Sequence, residues 1–355
     1  PAEIQARGGE ITDFPSWERV LKELSAQAEA REDWAAAAGY LRMAEFFMVP
    51  DTPECHAVYD RAREIFYTHF TYLFAEQGGP IHREEVPYAD GVLPCWRIVP
   101  ADTSKGAILF HGGNDSLLEE FTDALLYLAQ GGYTVLAFEG PGQGAALRKS
   151  GLTFTPEWEK PVGAVLDHYG AEDVTIIGVS LGGELCMRAA AMEPRIRRVV
   201  SWSVLPSIYG ALMADKPAEI RAKLEHWLDE NNRDAILDLY AGLAEREPLF
   251  RWSIQHSNYA YGTSDVYEYL QKARAFTIEP VAERITQDVL LLSAREDLLV
   301  DFALYKQEID LLKNTRSLEF AAPGRALNGQ AHCNMGNTKY MLDLILNWND
   351  RMLER

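Results

Sequence analysis

The sequence predicts an α/β fold: a mostly parallel sheet covered by helices on both faces, with an N-terminal helical domain and a helical insertion. Three observations predict it. From about residue 100, short apolar runs alternate strictly with helix-period segments, as in "GAILFHGG", "SLLEEFTDALLYLAQGG" and "YTVLAFEGPGQG". The strand candidates are almost continuously apolar, which suits strands buried on both faces. Finally, the alternation stops over about 204–280, where the chain turns helical and aromatic, and then resumes.

Residues 1–80 read as helices. "SWERVLKELSAQAEA" and "REDWAAAAGYLRMAEFFMV" carry apolar residues at helical spacing and are rich in Ala, Leu and Glu. "DTPECHAVYDRAREIFYTHFTYLFAE" follows, with Asp51 or Thr52 as N-cap and Pro53 in the first turn, until "QGGP" breaks the pattern. The apolar stripe here, including Trp34, Phe46, Phe47 and Met48, reads as core or as a homodimer interface. Residues 81–203 form the first part of the α/β core, opening with a hairpin that turns near "ADG". Residues 204–280 are the cap-like insertion. Residues 281–355 complete the core with "QDVLLLSARED", a helix around "FALYKQEIDLLK", the strand "RSLEF" and a closing helix.

Bulk properties narrow the function. The chain has 355 residues, 34 Lys and Arg against 53 Asp and Glu, and a formal net charge of −19. That field repels nucleic acid and anionic membrane surfaces, and no basic run offsets it locally. The four cysteines, Cys55, Cys95, Cys186 and Cys333, are scattered without a C-x-x-C pair, which argues against zinc and against a disulfide framework. No stretch approaches the ~18 apolar residues of a membrane span, and the first residues lack a signal-peptide core. The expectation is a soluble cytoplasmic protein with reduced thiols.

The chemistry starts at "TIIGVSLGGEL", residues 175–185. Ser180 stands between a buried-strand pattern and an Ala-rich helix, and Gly178, Gly182 and Gly183 supply the small neighbours that a tight strand-to-helix elbow needs. A serine hydroxyl becomes a nucleophile only when a base takes its proton. On an elbow of this kind the acid and the histidine follow later in the chain, in that order. "VLLLSAREDLLVD" offers Asp297 just past a strand, with Glu296 and Asp301 as competitors. "APGRALNGQAHCNMGNT" offers His332 between the last strand and the last helix. Asp297 would orient the imidazole and His332 would act as general base. Cys333 beside it reads as a small buried thiol.

An oxyanion hole needs two backbone N–H groups. Leu181, directly after the serine, offers one. "LFHGGNDS" offers the other, from Gly113 or Asn114, with His111 holding that loop. "FEGPGQG" lacks the P-loop lysine and the dinucleotide G-x-G-x-x-G, and reads as a core loop that positions its neighbours.

Together "GVSLGG", "HGGNDS", "GPGQG", Asp297 in "SARED" and His332 in "AHCNMG" resemble the α/β-hydrolase superfamily. The nearer resemblance is to the branch that holds 2,6-dihydroxypseudooxynicotine hydrolase and fungal polyketide chain-shortening hydrolases, with a helical N-terminal domain and a helical cap. Glu139 departs from the Asp that relatives often carry before Gly-Pro-Gly. The resemblance implies a cofactor-independent hydrolase, with no metal, acting on a small-molecule carbonyl substrate. It implies cleavage of a C–C bond next to a ketone through an acyl-enzyme on Ser180. Trp252, His256, Tyr259 and Tyr261 of the insertion give aromatic surface with polar tips, suited to an aromatic or polyketide-like substrate or, equally, to packing the cap. Two alternatives share these residues. One is a carboxylesterase, lactonase or acyltransferase with the same triad. The other is a non-catalytic ligand-binding protein that keeps the fold, because fold alone does not imply activity.

Overall fold

The computed structural model describes residues 2–214 and 216–355. The chain divides into two compact units, Pro1–Gly79 with Arg233–Val266, and Pro80–Asn232 with Tyr267–Arg355.

The second unit is built on an eight-stranded sheet in the order β1-β2-β4-β3-β5-β6-β7-β8. The first two strands, β1 (Ile81–Tyr88) and β2 (Gly91–Ile98), form a hairpin closed by Ala89 and Asp90. β2 pairs antiparallel with β4 (Thr134–Phe138). The remaining ladders are parallel and run through β3 (Ala107–His111), β5 (Val174–Val179), β6 (Ile196–Trp202), β7 (Asp288–Leu292) and β8 (Ser317–Ala321). β5 is buried at all six positions, because "VTIIGV" lies centrally between β3 and β6 with helices over both faces. β8 ends the sheet, and no residue of it is fully buried.

Register decides where chemistry can sit. Gly178 on β5 pairs with His111 on β3 and with Ser201 on β6, so three strands end side by side. The loops leaving those carboxyl ends lie at one edge of the sheet, the edge where α/β sheets place their ligands.

The first unit is helical. The helix Phe14–Ala30 starts at Asp13, whose carboxylate accepts from the Ser16 N–H while the Ser16 hydroxyl answers the Asp13 N–H. The helix Trp34–Phe46 starts at Asp33. In Pro53–His69 the cap is Thr52, which accepts from the Cys55 N–H, with Pro53 at the first turn. Val20, Leu21, Leu24, Ala37, Leu41, Ala44, Ala62 and Ile65 form their shared core. Each large aliphatic side chain so buried contributes about 1.5–3 kcal/mol.

Among the described residues the insertion carries five helices, Ile208–Ala214, Ala218–Asp229, Arg233–Ala244, Pro248–Tyr261 and Val266–Ala273. The third and fourth belong to the first unit, where Tyr240 stacks on Phe250 at 5.1 Å. Among the described residues, no helix is long and apolar enough to cross a membrane.

Candidate active site

The turn after β5 is compressed to the limit. A Cβ on Gly178 would lie 1.9 Å from the Gly182 carbonyl oxygen, and one on Gly183 would lie 2.1 Å from that of Ser203. Only glycine fits at either place. Between them Ser180 adopts φ 61, a left-handed conformation that costs a non-glycine residue about 1–3 kcal/mol. Its N–H donates to the Trp202 carbonyl at 3.0 Å and its carbonyl accepts from Gly183 at 2.8 Å, so the strain is held from both sides. The hydroxyl is thereby lifted to the apex, ahead of the helix Gly182–Met192.

His332 comes to meet it. The imidazole Nε2 lies 2.9 Å from Ser180 Oγ, and Nδ1 lies 2.7 Å from Asp297 Oδ2. A carboxylate accepts only, so the proton belongs on Nδ1, and Nε2 is left to accept from the serine hydroxyl. Burial opposes a charged imidazole, but the hydrogen bond to Asp297 and the neighbouring Cys333 outweigh it and raise His332 above its ordinary value. Burial likewise pushes Asp297 up, yet the bond from His332 and two backbone N–H groups leave it below the usual carboxylate range. Those amides are Leu299 and Val300, donating to Oδ1 at 2.8 and 3.1 Å.

The neighbouring carboxylates face elsewhere. Glu296 forms a two-pronged pair with Arg325 at 2.6 and 2.7 Å, and Asp301 accepts from the Ala303 N–H at 2.9 Å.

Asn334, which the sequence did not single out, fixes the histidine loop. Cys333 and Asn334 both have positive φ, 50 and 55. The buried Asn334 amide donates to the carbonyls of Ser293 and Gly329 at 3.1 and 2.6 Å, and accepts from Trp202 Nε1 at 3.2 Å. The available signal was the residue type, since Asn is enriched in the left-handed region. Cys333 is buried, and all four cysteines are free thiols.

On the opposite side, the β3 loop presses against the elbow. A Cβ on Gly113 would stand 2.7 Å from Ser180 Cβ and 3.0 Å from the Leu181 nitrogen. The Gly113 N–H donates to Ser116 Oγ at 2.9 Å. His111 is fully buried, and burial lowers it to about 4. Trp158 Nε1 donates to its Nε2 at 3.2 Å, so its proton sits on Nδ1, 3.0 Å from the Gly112 carbonyl. It is a neutral strut.

Trp252, His256, Tyr259 and Tyr261 all lie on the helix Pro248–Tyr261 of the first unit. Trp252 stacks on Phe46 at 5.0 Å and on His256 at 5.4 Å, with Phe47 edge-on at 5.2 Å. Tyr259 meets His56 edge-on, and Tyr261 is buried. Among the described residues, no three His, Cys, Asp or Glu side chains are grouped to hold a metal ion.

The arrangement can polarise a hydroxyl, store its proton on an imidazole, and steady the resulting cation with a buried carboxylate. Comparisons with known proteins agree in kind. Residues 108–328 match the family described as the alpha/beta hydrolase fold. The chain is 29% identical to Hydrolase LUC6 of Fusarium sp, over 75% of this chain and 70% of that protein. It is also 29% identical to Hydrolase acrC of Aspergillus aculeatus, over 75% and 73%. Among solved structures, 2,6-dihydroxy-pseudo-oxynicotine hydrolase superposes with a TM-score of 0.67 at 19% identity, covering 97% of this chain and 89% of its own. AbyA5 superposes at 0.69 and 18%, covering 94% and 84%.

Proposed function

This chain belongs to the α/β-hydrolase fold family, and from that premise we propose that it is a cofactor-independent serine hydrolase cleaving a C–C bond next to a ketone. The substrate class is an aromatic or polyketide-like carbonyl compound. The observation that carries the catalytic part is the unbroken hydrogen-bond chain from Ser180 Oγ through His332 to Asp297. The C–C part rests on the resemblance to the dihydroxypseudooxynicotine hydrolase branch.

In this reading Ser180 Oγ attacks the ketone carbon as His332 Nε2 takes its proton. The carbonyl oxygen becomes an oxyanion, stabilised by the N–H group of Leu181 and by a second from Gly113 or Asn114 in the loop after β3. The adjacent C–C bond then breaks, its electron pair leaves with the departing carbon, and His332 returns the proton to that carbon or its enol. The acyl group stays on Ser180. Water, deprotonated by His332, attacks the acyl carbon and releases a carboxylic acid with Ser180 restored. Asp297 balances the imidazolium charge in both halves. Such a leaving group needs an aromatic ring or second carbonyl to hold the electron pair, which defines the substrates worth testing.

The test compares kcat/KM for an aryl 1,3-diketone and an aryl ester of matched size, with Ser180→Ala as the blank. Preference for the diketone, abolished by Ser180→Ala, is expected. A wide preference for the ester would make this a capped esterase. Unchanged turnover in Ser180→Ala would remove the nucleophile assignment.

A further inference from the structure

The β3 loop is held by a side chain that the mechanism above does not use. Gln143 follows β4, in the "GPGQG" turn, and is 2% exposed. Its Nε2 donates to the Gly112 carbonyl at 2.8 Å and to the Gly113 carbonyl at 2.9 Å. Its Oε1 accepts from the Gly140 N–H at 2.9 Å. Every bonding group of this amide except one lone pair is thus engaged. Turning it over would set Oε1 against two carbonyl oxygens, so the Gly140 bond fixes which end faces the loop.

The consequence follows from peptide geometry. In a planar trans peptide the C=O and the N–H point in opposite directions. The Gly112 carbonyl shares its plane with the Gly113 N–H, and the Gly113 carbonyl shares its plane with the Asn114 N–H. Anchoring both carbonyls on one side aims both N–H groups to the other. For the first plane the result is visible: the Gly112 carbonyl bonds Gln143 and the Gly113 N–H reaches Ser116 Oγ. For the second plane, the Gly113 carbonyl bonds Gln143, and Gly113 itself packs against Ser180.

A second strut ties the same two loops. Glu139, buried at the end of β4, accepts from the Leu118 N–H at 3.0 Å and the Ala145 N–H at 2.7 Å. Glu139 therefore holds the far end of the loop after β3, while Gln143 holds the glycines. Of these two struts Gln143 is the one that bonds the peptides next to the serine, sharing the Gly112 carbonyl with His111 Nδ1.

We propose that Gln143 is the positioning residue of the oxyanion site: its carboxamide sets the direction of the two peptide N–H groups beside Ser180, those of Gly113 and Asn114, by holding the Gly112 and Gly113 carbonyls. This rests on the serine-hydrolase reading. Gln143 touches no substrate and moves no proton. Its effect falls on the charged transition state more than on the bound ground state, so it acts on kcat and not on KM.

The experiment measures the second-order rate of Ser180 modification by an aryl fluorophosphonate, whose phosphoryl oxygen needs the same two donors. Gln143→Met keeps the volume and removes both donors. We expect its labelling rate to fall by about 10- to 100-fold against wild type, with near-UV circular dichroism retained. Gln143→Glu supplies the second measurement and stands alone if the methionine variant does not fold. Its carboxylate has no hydrogen to give the two carbonyls, whereas its protonated form has one. The variant-to-wild-type rate ratio is therefore expected to rise by about 5-fold or more from pH 9 to pH 6, and a role in stability alone would not move that ratio. Labelling of either folded variant at the wild-type rate, with a flat ratio, overturns the assignment of Gln143 and leaves Ser180 in place. Failure of the wild type itself to be labelled at Ser180 overturns the hydrolase reading, and this proposal with it.

Discussion

The carboxylate of Asp297 and the imidazole of His332 meet at 2.7 Å, Oδ2 to Nδ1, although 35 residues separate them in sequence. The carboxylate is nearly enclosed, and its other oxygen is held by the Leu299 and Val300 N–H groups. Its direction is therefore fixed before the histidine arrives. Such an acceptor selects the Nδ1–H tautomer, the one that leaves Nε2 able to take a proton from Ser180.

From that relationship we expect Asp297→Asn to lower kcat by about 10³- to 10⁴-fold, because an amide can donate to Nδ1 and so favour the wrong tautomer. Asp301→Asn should stay within about 3-fold of wild type, since Asp301 only caps its own turn. Steady-state kinetics of both variants on one substrate checks the ranking. The reverse order would move the acid to position 301.

The same pair sets a pH profile. His332 must be neutral to accept the serine proton, and its surroundings raise it above the ordinary imidazole value of ~6.5. The acid limb of kcat/KM should therefore rise through a pKa above that value, with activity growing toward alkaline pH. Asp297→Asn removes the main raising contact and should move the residual limb to lower pH. A limb at or below ~6.5 in the wild type would contradict the geometry-based account of this imidazole.

Gly113 supplies a steric test. A methyl group there would stand 2.7 Å from Ser180 Cβ and 2.8 Å from the Val179 carbonyl oxygen. Neither neighbour is a flexible side-chain end, so the loop itself must retreat. Gly113→Ala is expected to lower kcat by at least about 10²-fold, the scale of losing one oxyanion donor, while the protein still folds. Near-normal kcat with normal circular dichroism would show that this loop does not serve the transition state.

The sheet and the helical segments flanking it were legible because their signals are local and periodic. β5 reads as a near-continuous apolar run, and the N-terminal helices carry their own caps and stripes. That Ser180, Asp297 and His332 would come together was legible for a different reason: Ser180 directly follows β5, and Asp297 and His332 lie in the loops after β7 and β8. His111 was expected to hold the β3 loop and does bond the Gly112 carbonyl, but the sequence did not reveal which other side chains hold these loops. Asn334 fixes the histidine turn through contacts to Ser293, 41 residues away, and to Trp202, 132 residues away. Gln143 reaches back 30 and 31 residues to two backbone carbonyls, which carry no residue-type signature. Ser116, three residues on, was equally silent about taking the Gly113 N–H. Contacts between a side chain and a distant backbone leave no periodicity to read.

A last prediction concerns stability and not turnover. Glu184, four residues past Ser180 on the helix Gly182–Met192, and Glu308, on the helix Leu304–Leu311, are both buried. One oxygen of Glu184 lacks a hydrogen-bond partner, and against the burial of Glu308 only the Leu205 backbone N–H favours its ionised form. Burial raises each to about 8 from 4.5, with the Glu308 charge adding to the rise of Glu184 and Arg188 opposing it. In the unfolded chain both ionise near 4.5, so between pH 4.5 and 8 the folded state binds more protons than the unfolded one. Stability contributed by these neutral carboxyls is then full below about pH 4.5 and is lost as pH rises toward 8. Glu308→Gln keeps the shape, cannot ionise, and relieves Glu184 of a facing charge. Thermal unfolding should show little difference from wild type at pH 5 and a gain of at least ~1 kcal/mol at pH 9, roughly 1 °C or more in Tm. A gain that is the same at both pH values would mean that Glu308 does not titrate in the fold.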